Sequence, residues 1–174
     1  MAEPARECWA DLGIPANYAQ ARRLRVQREA RRLCRIGRNA SGQVIRLSRP
    51  AAAAWRRMHA AAASDGVDLR PVSGFRSVAR QARIIRRKLA AGARIRDILR
   101  FVAAPGCSEH HTGRALDLGS PAAVDLDEDF ARTREYRWLT RHAARFGFRL
   151  SYPRGNPHGI GFEPWHWCWR RRGV

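Results

Sequence analysis

Ser108-Glu-His-His-Thr-Gly-Arg-Ala-Leu-Asp-Leu-Gly119 is the stretch on which the fold turns. Arg114 to Gly119 alternates as a half-buried strand does, so Asp117 falls on the face opposite Leu116 and Leu118. The strand therefore offers an apolar face to a layer of helices and a carboxylate to the other side. A loop histidine, His110, and a strand aspartate seven residues later can converge on one point.

The second informative block lies near the C-terminus, Ile160-Gly-Phe-Glu-Pro-Trp-His-Trp-Cys-Trp169. Glu163 and His166 are three apart, so an unbroken strand would send them to opposite faces. Pro164 favours a local turn, which restores a shared face. Two imidazoles and a carboxylate suit a metal that keeps one position open, with a further carboxylate beside it as a base. His110, Asp117 and His166 with Glu163 make such a set.

Working outward, Asp68 to Ser73 reads as a short strand feeding Gly74-Phe-Arg-Ser77. Ser77 is placed to cap a helix whose apolar positions are Val78, Ala82, Ile85 and Leu89. Ser48 and Pro50 open an earlier helix with Trp55, Met58 and Ala62 on one stripe, stopping near Ser64-Asp-Gly66. Ile95, Ile98, Leu99 and Val102 mark a further short helix, and an acidic loop carries Asp125, Asp127, Glu128 and Asp129. A helix from Tyr136 to Phe146 then leads to a strand over Phe148 to Tyr152. At the other end, Tyr18 to Arg38 reads as a basic amphipathic helix ended near Gly37.

The 174 residues suit one domain with a real core. Lys+Arg number 34 against 15 Asp+Glu, a formal charge of +19, and Lys88 is the one lysine. Such a surface attracts nucleic acid, anionic lipid and anionic cell-wall polymer. The arginines are dispersed, however, and a genome-wide codon bias explains them as well. Met1 to Glu7 lacks a basic stretch followed by an apolar one, and no run approaches the roughly 20 apolar residues of a membrane span. A soluble, unexported, cytoplasmic chain is expected, with action at the cell envelope through non-classical release. Cys8, Cys34, Cys107 and Cys168 contain no CxxC pair and are expected to be reduced thiols.

Three spaced blocks carry a resemblance. Ser108-x-His110-x-x-Gly113-x-Ala115-x-Asp117 and Glu163-x-Trp165-His166 resemble the two signatures of the D-alanyl-D-alanine carboxypeptidase and dipeptidase zinc metallopeptidases, the vancomycin-resistance type. Ser73-Gly-Phe-Arg76-Ser77, with Gln81 after it, resembles the family's upstream block. The resemblance runs from about Leu47 to Trp169. It implies an α+β fold, with a small, mainly antiparallel sheet bearing the zinc site and helices packed on the other face, as in the Hedgehog signalling domain. Residues 47–174 would be the catalytic domain, and residues 1–46 a basic helical segment of the same compact unit.

It also implies roles. One Zn²⁺ would be held by His110, Asp117 and His166, with Glu163 as general base toward the attacking water. Arg76 would stabilise the oxyanion or hold the substrate carboxylate. Ser108 and Gln81 would hold peptide termini, although Ser108 can equally cap local backbone. Trp165 would form a wall of the site. The resemblance departs at Trp169, where the family often has an aromatic hydroxyl.

The activity implied is hydrolysis of a D-Ala-D-Ala bond in a peptidoglycan stem peptide. Carboxypeptidase ranks above dipeptidase because nothing in the sequence supplies a lid over the long side of the cleft. An L-alanyl-D-glutamate endopeptidase of the lysin type is the near neighbour. A reading of another class is a non-catalytic zinc module that holds nucleic acid or cell-wall anions, against which Glu163 argues. His111 is a rival ligand by adjacency, and Cys107 and Cys168 flank both ligand segments and suggest a closed structural site instead. His59, His142 and His158 read as surface or packing residues.

Overall fold

A computed structural model of the chain describes residues 8–121 and 126–171. Asp125 of the expected acidic loop lies outside the described residues. The centre is a four-stranded antiparallel sheet of β3 (Arg70–Ser73), β4 (Ala115–Gly119), β5 (Phe148–Leu150) and β6 (His166–Trp169), in the order β3-β4-β6-β5. Beside it lies a hairpin of β1 (Leu33–Arg38) and β2 (Val44–Ser48).

Register is what turns these strands into a site. Ser73 pairs with Asp117 across β3 and β4, and Asp117 pairs with His166 across β4 and β6. One row across the sheet thus aligns three polar side chains. The neighbouring row is apolar, with Leu116 opposite Trp167.

That apolar face meets α1 (Arg49–Ser64) and α3 (Arg134–His142). Leu116, Leu118 and Trp167 join Trp55, Met58 and Ala62 of α1, with Trp138 and Leu139 of α3, in one core. The stripe expected of α1 is the buried one. Burying each large side chain contributes roughly 1.5–3 kcal/mol, so the sheet and both helices hold each other in place. Ser48 does occupy the position before α1, but its hydroxyl makes no capping bond and is buried without a partner. Ser77 does cap α2 (Val78–Ala90), accepting from the Arg80 amide at 3.1 Å.

A second core packs Ala82 and Ile85 of α2 against Ile98, Leu99, Trp9, Leu12 and Tyr18. Residues 9–18 are thereby fastened to α2, and the Trp9 indole donates to the Pro105 carbonyl at 2.8 Å.

The expected helix over Tyr18 to Arg38 does not form. Only Tyr18–Ala21 is helical, residues 24–30 have no regular structure and Leu33–Arg38 is β1. A helix would stack Arg28 on Arg32 and Arg31 on Arg35, like charges four apart that destabilise it. The extended chain instead donates to the loop before β4, Gln27 to the Gly106 carbonyl at 2.7 Å and Ala30 to that of His111 at 2.8 Å.

Gly113 closes the turn that carries His110. Its φ is +63°, and a Cβ there would lie 2.8 Å from the Ser48 amide nitrogen and 3.0 Å from Leu33 Cδ2. Left-handed backbone and the crowding both disfavour any side chain. Gly113→Ala is expected to destabilise the protein by about 2–4 kcal/mol, read as a lowered denaturation midpoint.

Candidate functional site

Three chain segments are tied to one another before any side chain points at chemistry. The Arg76 amide donates to the His110 carbonyl at 3.2 Å. His110 Nδ1 donates to the Gly74 carbonyl at 2.7 Å, and His111 Nδ1 to the Arg76 carbonyl at 2.6 Å. The 74–76 loop and the 108–112 turn are therefore one rigid unit. The third segment enters through the turn that Pro164 favours, in which the His166 amide donates to the Glu163 carbonyl at 3.0 Å.

These contacts decide which imidazole nitrogens are free. A carbonyl accepts only from N–H, so His110 carries its proton on Nδ1 and presents a bare Nε2. His166 Nε2 lies 3.0 Å from Glu109 Oε2 and donates to it, which leaves Nδ1 bare. Both free nitrogens face one carboxylate: His110 Nε2 is 3.1 Å from Asp117 Oδ2, and His166 Nδ1 is 3.1 Å from Asp117 Oδ1. Lone pairs aimed at carboxylate oxygens repel unless a proton or a cation lies between them.

The titration of the site separates the two imidazoles: without a cation His110 stays neutral, while His166 holds a proton toward Asp117 that a bound cation would displace. Burial pushes His110 below its usual value, more than Asp117 beside it can restore. Burial would lower His166 as well, but hydrogen bonds and charge from Asp117, Glu109 and Glu163 raise it to about 10. Asp117 is held far below the carboxylate range despite its burial, by both imidazoles. The three residues offer ligand atoms all within 4.8 Å of one another, and all three are buried. Tetrahedral zinc places its ligands about 3.3 Å apart, so the donor set fits such an ion.

Glu163 Oε2 lies 3.7 Å from His166 Nδ1, at the edge of this cluster. Burial raises its carboxyl to about 8, opposed by the charges of His166 and Arg76. A base whose proton affinity lies near neutral pH is suited to taking and returning a proton.

Arg76 is a largely but not fully buried guanidinium whose Nη1 donates to Gln81 Oε1 at 3.0 Å and whose Nη2 donates to Ser73 Oγ at 3.2 Å. Its Nε is buried with no protein partner. Gln81 in turn donates to the Ala103 carbonyl at 2.6 Å, so it positions Arg76. Ser108 Oγ accepts from the His110 amide at 3.4 Å, the local capping use of that hydroxyl. Ser108, Gln81, Arg76 and Trp165 all line one cleft of about 220 Å³ with the ligand trio. The site residues read from the sequence thus come together. Phe101, 44% exposed, and Leu126, 37% exposed, give the cleft apolar lips, with Lys88 nearby. The Phe101 ring is pressed on Gly161, where a Cβ has no room.

His111 is buried with both nitrogens occupied, since its Nε2 accepts from the Gly106 amide at 3.1 Å. It is a structural neutral imidazole and not a ligand. Burial lowers its proton affinity. The unfolded chain takes up a proton near pH 6.5 and the folded one only below that, so the contribution of His111 to stability is intact above pH 6.5 and is lost as pH falls below it. Denaturation midpoints are expected to fall below pH 6.5, with at most about 1.4 kcal/mol per pH unit from this residue. His111→Gln should flatten that limb.

The cysteine alternative fails on similar grounds. All four cysteines are free thiols, and burial raises Cys107 to about 11 and Cys168 above its usual range. Among the described residues the cluster able to hold a metal contains no cysteine.

Two residues with functional placement carried no assignment from the sequence. Glu109 takes hydrogen bonds from His166, from Ser151 Oγ and, at 2.7 Å, from Arg170 Nη2. Burial would raise its carboxyl, but those partners hold it down to about 2. It fixes the ring of His166, as carboxylates behind metal-bound histidines do. Its place beside His110 in the motif was the available signal. Tyr152 packs on His166 with ring centroids 4.9 Å apart and lines the cleft. Nothing in its strand periodicity pointed there. Trp169 packs against the main core.

A family model described as VanY, D-alanyl-D-alanine carboxypeptidase, matches residues 44–172. YodJ of Bacillus subtilis (strain 168), named as a carboxypeptidase, is 36% identical over 124 residues, covering 69% of this chain and 45% of YodJ. The LdcB LD-carboxypeptidase structure superposes with a TM-score of 0.73 at 30% identity, covering 83% of this chain and 71% of that one. A mutant of the D,D-pentapeptidase VanY from a VanB-type resistance cassette, in complex with Zn(II), gives 0.63 at 26% identity, covering 84% and 82%. The chain spans about half the length of the curated relatives it matches.

Proposed function

The chain belongs to the VanY D-alanyl-D-alanine carboxypeptidase family, and from that premise we propose that it is a zinc-dependent peptidase acting on the D-Ala-D-Ala end of peptidoglycan stem peptides. One observation carries the reading: His110 Nε2 and His166 Nδ1 both face Asp117, with Glu163 at 3.7 Å. The ligands would be His110, Asp117 and His166. When bound, zinc supplies a net +1 centre that acidifies water and polarises the scissile carbonyl.

The chain's own residues supply the rest. Glu163 accepts the proton of the attacking water at its carboxylate and returns it to the leaving amine. The Gly74 carbonyl and Glu109 keep the two imidazoles in their ligand tautomers. Arg76, anchored by Gln81 and Ser73 and lining the cleft, stabilises the developing oxyanion or holds the terminal carboxylate. Phe101, Leu126 and Trp165 exclude water from the cleft and pack the small side chains of the substrate. Ser108 orients the His110 turn. Within the described part of residues 1–46, Gln27 and Ala30 brace the 106–111 loop, and a catalytic region over 47–174 accords with the family match over 44–172.

The likeness to LdcB favours a second reading of the same site, cleavage of an L,D bond. Zinc-loaded protein should be incubated with purified pentapeptide and tetrapeptide muropeptides and with free D-Ala-D-Ala, and the products weighed by mass spectrometry. Loss of one alanine from the pentapeptide is expected. Loss from the tetrapeptide alone would assign L,D specificity, cleavage of free D-Ala-D-Ala alone would assign a dipeptidase, and a cut before D-glutamate would assign an endopeptidase. Intact substrates throughout would overturn the reading.

A further inference from the structure

Behind the metal ligands lies a second cavity, of about 690 Å³, lined by Arg23, Arg25, Arg114, Arg170 and Arg171. Among the described residues its one carboxylate is Glu109. That carboxylate already serves both His166 and Arg170, so it does not neutralise the other four guanidinium groups. Arg23, Arg25, Arg114 and Arg171 form no ion pair among the described residues.

Arg23, Arg25, Arg170 and Arg171 are exposed and Arg114 is half-buried, so the arginines line an open groove, and hydrogen bonds fix the backbone beside it. Arg22 donates to the Leu99 and Gly159 carbonyls, each at 2.8 Å, and His158 Nδ1 donates to the Arg22 carbonyl at 3.0 Å. The next residue, Arg23, has φ +51°, the one positive value among the described non-glycine residues. A non-glycine residue is held in that region only where its surroundings over-determine it, and such strain gathers at binding sites. The turn at Arg23 leads into a stretch in which Arg23 and Arg25 line the same groove as Arg114, Arg170 and Arg171.

We infer that this cavity binds a phosphate group, carried on a linear chain without bases such as a glycerol-phosphate polymer. A carboxylate brings one charge and two acceptor oxygens, too little for a groove lined by five guanidinium groups. A phosphate brings more acceptor oxygens and pairs with arginine in the forked geometry. Nucleic acid fits less well, because binding of single strands relies on exposed rings for base stacking. Tyr152, the one phenol or indole ring in the lining, is buried and packed on His166. Tyr152 is the one residue that the groove shares with the substrate-binding cleft, so the two are separate sites and the groove would hold the enzyme to an anionic polymer during peptide cleavage.

Calorimetry tests this on the zinc-loaded full chain at 0.15 M salt, where diffuse attraction is screened beyond about 8 Å. The probes are inorganic phosphate, a glycerol-phosphate oligomer and a single-stranded oligonucleotide of equal charge. Saturable binding of phosphate is expected, tighter for the oligomer. Arg25→Ala/Arg114→Ala should weaken both by about tenfold or more, since each lost charge-assisted hydrogen bond is worth about that factor. Its zinc content and melting temperature, measured alongside, show that the variant is folded. Binding that survives in the variant would place the anion on the metal or on diffuse surface charge and overturn the inference. So would an absence of saturation, or an oligonucleotide bound as tightly as the oligomer. Because the readout is binding and not turnover, it stands or falls apart from the peptidase reading.

Discussion

Glu163→Ala is expected to lower kcat by roughly 10²–10⁴-fold while zinc content stays at that of the parent protein. The argument begins with placement. Glu163 reaches the cluster through the Pro164 turn, and its nearest ligand atom, His166 Nδ1, is 3.7 Å away. That is too far for the two groups to exchange a hydrogen bond, so the carboxylate is left to act on a molecule between them. Burial then raises its proton affinity to about 8, which lets it accept a proton and give it up again near neutral pH. Removing it takes away a group needed only as the bond breaks, so KM should change much less than kcat. Glu163→Gln keeps the shape and removes the basicity, and should fall with the alanine variant. Undiminished turnover in either would remove Glu163 from the mechanism, and loss of zinc from both would make it a ligand.

The parts of this site that were legible in the sequence are those governed by short-range rules. The period of two from Arg114 to Gly119 placed Asp117 opposite Leu116 and Leu118, and the sheet buries those leucines in the core while pairing Asp117 with His166. Pro164 made the Glu163 turn readable in the same way. The N-terminal segment was misread because helical periodicity is blind to tertiary hydrogen bonds. Gln27 and Ala30 have partners on the loop some 80 residues away, and those partners hold the chain extended. Glu109 and Tyr152 were overlooked for a related reason, since their functional neighbour, His166, lies far along the chain. Ser48 shows the limit of motif reading even locally: it has the right residue at the right position, and its hydroxyl makes no capping bond.

Replacing His110 and His111 separately by alanine should give opposite outcomes from adjacent positions. The motif resemblance chooses His110, but adjacency leaves His111 a rival, because both are histidines in one turn. The hydrogen bonds do. His110 spends only Nδ1, on the Gly74 carbonyl, and its Nε2 faces Asp117. His111 spends both nitrogens, on the Arg76 carbonyl and the Gly106 amide. His110→Ala removes a ligand, and zinc affinity should fall by more than the roughly 10–100-fold typical of changing a group behind a ligand. Hydrolysis should vanish with it, while the fold is largely kept. His111→Ala leaves the ligand atoms in place but orphans a buried amide and a buried carbonyl, at a cost of about 2–4 kcal/mol in stability. Protein of that variant which remains folded should still bind zinc, less tightly only as far as the His110 turn has loosened. Zinc titration with a competing chelator, run beside urea denaturation, separates the two losses. Metal lost from His111→Ala but retained by His110→Ala would reverse the assignment and take with it the ligand geometry on which the peptidase reading is built.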